Sequence, residues 1–150
     1  MAFIISSFLN DAIQRGTGRR ARVLERQDIS GKTGTTNGPR DAWFSGFNRD
    51  LITTAWVGFD DYGPLGRREF GGTAALPIWI DYMREALPAA QPPPPMPPGI
   101  VRVRVDRESG LRVRGQPDGS MMEYFLEESL PDWQSDAGRR FNPDDLDQIF

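Results

Sequence analysis

The chain contains no cysteine and no histidine, and only one lysine, Lys32, against seventeen arginines. Without cysteine or histidine there is no thiolate nucleophile, no thiolate or imidazole metal site and no Ser-His-Asp triad within this chain. No metal and no cofactor is expected. The missing cysteine does not by itself decide a compartment. Long apolar runs are also absent, and nothing approaches the eighteen or so residues of a membrane span. Met1 to Leu9 is apolar but short and lacks a basic start, so it reads as a core helix rather than a signal peptide. No membrane contact is expected from this chain itself. Charge of one sign is missing too: residues 1–130 carry sixteen basic and sixteen acidic side chains, while the last twenty hold two arginines against five aspartates. A neutral body argues against nucleic-acid binding, which needs a basic face.

What is present divides by composition. Residues 2–15 carry Ile5, Phe8, Leu9, Ala12 and Ile13 at helical spacing. Phe3 and Ile4 widen that face, predicting deep burial at this end. Gly16-Thr17-Gly18 ends the helix, and Arg19, Arg20, Arg22 and Arg26 follow. With no aromatics interleaved, this cluster reads as a solvated connection rather than a phosphate or nucleic-acid site. Asp28–Thr36, Ala42–Phe47 and Leu51–Phe59 read as three strands joined by the turns Asn37-Gly38-Pro39 and Asn48-Arg49-Asp50, an antiparallel meander. The third is nearly all apolar or threonine, which predicts cover on both faces. Residues 73–87 read as a second helix, with Ala75, Ile78, Trp79, Tyr82, Met83 and Ala86 on one face and Pro77 either in its first turn or kinking it. The fold class expected is α+β, an antiparallel sheet with helices packed on it.

Residues 88–99 hold a run of prolines and read as an extended spacer. Ile100–Val105 and Leu111–Arg114 each alternate apolar with arginine about a turn at 106–110. They predict a small β-hairpin with one arginine face, to which Met122–Leu126 adds a strand. From Pro131 the chain is polar and acidic, with the composition of disorder, although Asn142-Pro143-Asp144-Asp145 has the pattern of a helix cap. The organisation expected is therefore 1–87, a spacer at 88–99, a small β extension at 100–130 and a tail at 131–150.

The lone lysine lies in Ser30-Gly31-Lys32-Thr33-Gly34-Thr35-Thr36-Asn37-Gly38. A polar turn would explain it without chemistry. A phosphate-binding loop would need a glycine five residues before Gly31, where Arg26 stands. The other chemistry that uses Lys-Thr-Gly is serine acyl transfer of the penicillin-recognising kind. A lysine on an edge strand can hold its ammonium in a cleft, attract a carboxylate and bias proton transfers. Gly34 lets an extended substrate lie along the strand. Thr33 is expected on the opposite sheet face, and Thr35 back on the face of the lysine. The Thr35 N–H would help stabilise an oxyanion.

Taken with Asp41-Ala42-Trp43-Phe44-Ser45-Gly46, Ala55-Trp56-Val57-Gly58-Phe59-Asp60, Gly71-Gly72-Thr73-Ala74-Ala75-Leu76-Pro77-Ile78-Trp79 and Arg15-Gly16-Thr17-Gly18, this stretch resembles the closing part of the transpeptidase domain of class A penicillin-binding proteins. These are bifunctional peptidoglycan synthases. The resemblance covers residues 1 to about 130, and the extension resembles their variable C-terminal region. It implies a partial beta-lactamase/transpeptidase-like fold in which residues 1–87 close the transpeptidase domain. It also implies a role in D,D-transpeptidation at the periplasmic face of a bacterial inner membrane. Lys32 is then the catalytic cation, Thr33, Gly34 and Thr35 bind substrate, and Asp41 and Trp43 are structural. The implied partners are peptidoglycan stem peptides, beta-lactams and other cell-wall synthesis proteins. Two elements of the family pattern have no counterpart: Ser-x-x-Lys would need serine where Ile29 stands, and no serine lies two residues before any asparagine. The chain is thus expected to begin inside a longer protein, to end at a natural terminus, and to be inactive alone. The alternative is a non-catalytic module that binds peptidoglycan or a protein partner.

Overall fold

The computed structural model describes residues 1–134. The expectations for residues 135–150, the acidic tail and the cap at Asn142-Pro143-Asp144-Asp145, lie outside the described residues. By packing the chain divides after Met96.

The first unit runs through helix α1 (Ala2–Gln14), a 3-10 helix (Arg19–Leu24), strands β1 (Ser30–Thr35), β2 (Asp41–Phe47) and β3 (Ile52–Gly58), a π-helical turn (Gly71–Ala75) and helix α2 (Leu76–Ala86). The strands form an antiparallel sheet in the order β1-β2-β3. The α+β class is therefore as expected, a meander with helices packed on it. Each hairpin is set by a side chain that takes up turn amides. Thr36 Oγ1 accepts from Arg40 N and Asp41 N at 3.2 and 3.0 Å. Asn48 Oδ1 accepts from Asp50 N and Leu51 N at 3.0 and 2.8 Å. Such local side-chain bonds offer the backbone a turn in place of a continued strand.

Alternation along β2 decides where the core sits. Ala42, Phe44 and Gly46 are buried, while Trp43 and Ser45 are exposed. Against the buried face α2 lays Leu76, Trp79, Ile80 and Met83. Trp79 packs edge-on to Phe44 with centroids 4.9 Å apart and donates its indole N–H to Thr53 O at 3.1 Å. Gly46 makes this possible: a Cβ there would stand 2.5 Å from the Trp79 ring. The small residue thus accommodates a side chain rather than another backbone.

Five expectations about burial and boundaries are corrected here. The core face of α2 is Leu76, Trp79, Ile80 and Met83, with Ile78 and Tyr82 exposed. The π-helical turn occupies Gly71–Ala75, so the α-helix starts at Leu76, with Pro77 in its first turn. On α1 only Ile4 and Ile13 are buried, while Ile5 and Phe8 are about half exposed at 48% and 49%. The helix is oriented by polar bonds to the sheet: Asn10 Nδ2 donates to Ile29 O at 2.7 Å and Ser30 Oγ to Ser6 O at 3.2 Å. β3 is covered on one face only, since Ala55 is buried while Ile52, Thr54 and Trp56 are exposed. Hydropathy alone could not tell a two-sided strand from a one-sided one carrying apolar residues outward. Finally, the arginine-rich connection is a 3-10 helix, and Arg26 is not solvated. Its Nε and Nη2 donate to both Asp28 carboxylate oxygens at 2.7 Å, and Nη1 donates to Pro88 O at 2.7 Å.

In the second unit β4 (Ile100–Asp106) pairs antiparallel with β5 (Ser120–Leu126), with Arg102 opposite Tyr124 and Arg104 opposite Met122. The expected partner, 111–114, is not a strand. It makes single bridges, Val105 to Arg112 and Arg112 to Trp133. Gly110 and Gly115 flank it at φ of 71° and 68°. These left-handed turns leave too few residues between them for a ladder. Residues 111–113 lie along one edge of β4, where Asp106 N donates to Leu111 O at 2.9 Å and Val113 N to Arg104 O at 3.0 Å, while the seven uninterrupted residues from 120 form the full ladder on the other edge. Arg112 stacks on Trp133 at 4.6 Å and Arg102 on Tyr124 at 5.4 Å.

Candidate active site

β1 is an edge strand: β2 is its only strand neighbour among the described residues. Thr36 N donates to Asp41 O at 3.2 Å in the register that pairs Thr35 with Ala42 and Lys32 with Ser45. Backbone groups alternate in direction along an antiparallel strand. The amides of Lys32 and Gly34 therefore face β2, and those of Thr33 and Thr35 face the free edge. A row of outward donors and acceptors is what an added peptide strand would pair with.

The side chains alternate across the sheet in the complementary sense. Lys32 stands opposite Ser45 and Gly34 opposite Trp43, on the exposed face. Thr33 stands opposite Phe44 and Thr35 opposite Ala42. The expectation that Thr35 returns to the face of Lys32 is thus corrected: positions three apart on a period of two point to opposite faces. Lys32 crosses the strand edge nonetheless. Its Nζ donates to Thr33 O at 3.0 Å and lies 3.4 Å from Thr33 Oγ1. Thr33 Oγ1 is also 2.9 Å from Thr17 Oγ1, in the loop after α1. Thr35 Oγ1 accepts from Gly71 N at 3.0 Å. One ammonium and two threonine hydroxyls therefore collect along one strand edge, a grouping suited to an anionic, extended ligand.

Two groups in this arrangement carried no role in the sequence reading. Thr17 was visible in Gly16-Thr17-Gly18 as a helix end and in Arg15-Gly16-Thr17-Gly18 as part of the resemblance, without a role of its own. Gly71 was visible as half of a glycine pair ahead of a helix. A Cβ on Gly71 would collide with Trp43 O and lie 2.6 Å from Gly34 O. Glycine there brings the π-helical turn onto the strand backbone and puts its N–H on Thr35. Arg20 adds a second cation nearby, with Nη1 3.4 Å from Gly72 O. Asp41 accepts the Trp56 indole N–H at 2.9 Å, a bond that ties β2 to β3.

Among the described residues no three metal-ligating side chains cluster, and no helix is long and apolar enough to cross a membrane. A recess of about 160 Å³ lined by Val23, Leu24, Arg26, Met83, Arg84 and Leu87 shares no residue with the strand-edge site. An open strand edge encloses little volume, so geometry and chemistry place the candidate site at β1 rather than in that recess.

No family model matches the chain. It is 52% identical over 132 residues, 87% of this chain, to penicillin-binding protein 1A of Pseudomonas aeruginosa. It is 41% identical over a 157-position alignment, 90% of this chain, to penicillin-binding protein 1A of Escherichia coli. The crystal structure of penicillin-binding protein 1A from Haemophilus influenzae matches 89% of this chain with a TM-score of 0.80 and 41% identity. The chain belongs to the class A penicillin-binding proteins and is similar to a part of their 1A members. It spans 16% and 18% of the lengths of the first two and 21% of the third.

Proposed function

We propose that this chain supplies the Lys-Thr-Gly strand of a serine D,D-transpeptidase site in a peptidoglycan synthase. In that reaction a serine hydroxyl attacks the penultimate carbonyl of a D-Ala-D-Ala stem peptide. D-alanine leaves with the serine's proton, and an amine of a neighbouring strand takes the acyl group and frees the serine. Beta-lactams acylate the same serine. Lys32 provides positive potential for the substrate carboxylate and for proton transfer. Thr33 and Thr35 offer hydroxyls and edge-facing amides, Gly34 lets the peptide lie close, and Thr35 N–H serves the oxyanion. A preorganised donor at such a position is worth about 10²–10³ in rate. Residues 1–87 form the transpeptidase part, 88–99 a spacer and 100–130 an extension. The work is done at the periplasmic face of a bacterial inner membrane, alongside other cell-wall synthesis proteins. The observation that carries this reading is the unpaired edge of β1, with the lysine ammonium bent over it toward Thr33.

The chain has no Ser-x-x-Lys, so incubated alone with a fluorescent penicillin it gives no label that survives denaturation. Placed in frame in the complete synthase, the segment supports labelling. Lys32→Ala cuts the labelling rate about a hundredfold or more, as loss of a preorganised charge at the reacting centre does. Labelling of the K32A synthase at the unmodified rate overturns the reading. A non-catalytic module is the second reading, favoured by the arginine–aromatic stacking on the second unit. Retention on purified peptidoglycan, unaffected by the lysine substitution, would support it.

A further inference from the structure

We infer that Thr17 is a positioning residue, which sets the direction of the Thr33 hydroxyl hydrogen for an anionic ligand; this rests on the reading just given. A threonine hydroxyl has one hydrogen to donate and two lone pairs that accept. Around Thr33 Oγ1 stand the Lys32 ammonium at 3.4 Å, which can only donate, and Thr17 Oγ1 at 2.9 Å, which can do either. If Thr17 accepts, Thr33 spends its hydrogen inside the protein and presents only lone pairs to a carboxylate. If Thr17 donates, both lone pairs are occupied and the Thr33 hydrogen is free to point at a third partner. A carboxylate approaching Lys32 selects the second arrangement, because it accepts and cannot donate. Thr35 is prepared in the same way: Gly71 N–H fills one lone pair at 3.0 Å and leaves the hydroxyl hydrogen uncommitted. Thr33 and Thr35 share a face two residues apart, so their hydroxyls lie about 7 Å from each other along the strand.

Thr17 is held for this task by the chain around it. Gly18 N donates to Ala12 O at 2.9 Å, which folds the loop back on α1. A Cβ at Gly72 would lie 3.3 Å from Thr17 O and 3.7 Å from Thr33 Cγ2, so Gly72 closes the other side of the pair.

The test compares unmodified, Thr17→Val and Thr17→Ser forms of the complete synthase in acylation by benzylpenicillin and by its methyl ester, which lacks the carboxylate charge. Thr17→Val is expected to slow acylation by the acid about tenfold, a hydrogen bond's worth. The ester is expected to change less than twofold, and Thr17→Ser is expected to restore the preference for the acid. Equal losses for acid and ester would show a merely structural role and overturn the inference. Acylation of the Thr17→Val form at the unmodified rate would overturn it too. Failure of the unmodified synthase to be acylated at all would instead sink the transpeptidase reading.

Discussion

The two units are built on different physics. The first keeps six large side chains fully buried, Trp79, Phe44, Ile13, Ile29, Leu76 and Met83, around one sheet face. In the second, only Ile100 and Val105 among the described residues count as buried, at 6% and 5% exposed, and neither is fully enclosed. Its order comes from the seven-residue ladder of β4 and β5, from Asp106 accepting Ser109 N at 2.8 Å, and from guanidinium–ring stacking. A jigsaw core fixes atoms to a fraction of an ångström, because any void or overlap costs energy. A ladder with half-covered faces fixes register but not side chains. The strand-edge site lies on the unit with the close-packed core. A strand carrying catalytic groups needs that rigidity.

The contrast can be broken from the core outward. Trp79→Ala should cost the first unit about 3–5 kcal/mol, the usual price of removing a buried aromatic. Chemical denaturation followed by the circular dichroism of the sheet checks this. A loss under about 1 kcal/mol would mean that the core is not what holds β1 in place.

The Arg26–Asp28 pair comes next. The Asp28 carboxyl is held below the usual carboxylate range, first by its bonds from Arg26, against a smaller opposing effect of burial. A depressed folded-state value adds stability that is fully present above the unfolded value, about 3.9, and is lost as pH falls through the folded one. Stability should therefore hold down to about pH 5 and decline below about pH 4. Asp28→Asn should remove about 1–3 kcal/mol at neutral pH, leaving Arg26 without its counter-charge, and should flatten that acid limb. A limb of unchanged depth in the variant would assign it to other carboxylates. Because Arg26 also binds Pro88 O and Asp28 accepts Gln91 N at 3.3 Å, the variant should speed amide exchange at residues 89–91.

The smallest effect is expected in the second unit. Trp133→Ala removes ring stacking with Arg112 and Arg114 at 4.6 and 5.6 Å. Exposed pairs of this kind are worth about 0.5–1 kcal/mol each. Faster exchange at residues 111–114, with β4 and β5 unchanged, is the expected readout. Collapse of the whole unit would show that stacking, not the ladder, holds it.

In the first unit, strand existence, the meander order and the placement of the lysine on a strand could all be read from turn residues and β-compatible runs. Those signals are local, spanning a few neighbours along the chain. Faces and ladder lengths were misjudged. Ile5, Phe8, Ile78 and Tyr82 were assigned to the core by spacing and lie outward. Leu111–Arg114 was given a full ladder with β4 but makes only a single bridge to it, on the edge opposite Ser120–Leu126. An apolar residue does not state which neighbour will cover it, and an alternating run does not state how long its ladder will be.

The site divides in the same way. Sequence by itself determined the chemical inventory: no imidazole, no thiolate, one ammonium, and a Lys-Thr-Gly-Thr run with no Ser-x-x-Lys to face it. Tertiary structure alone decided that the Lys32 ammonium bends over the strand edge and that Thr17 and Gly71 stand behind the two hydroxyls. The reason is distance along the chain. Thr17 is sixteen residues from Thr33 and Gly71 thirty-six from Thr35. Only the packing of α1 and the π-helical turn on β1 brings them within a hydrogen bond.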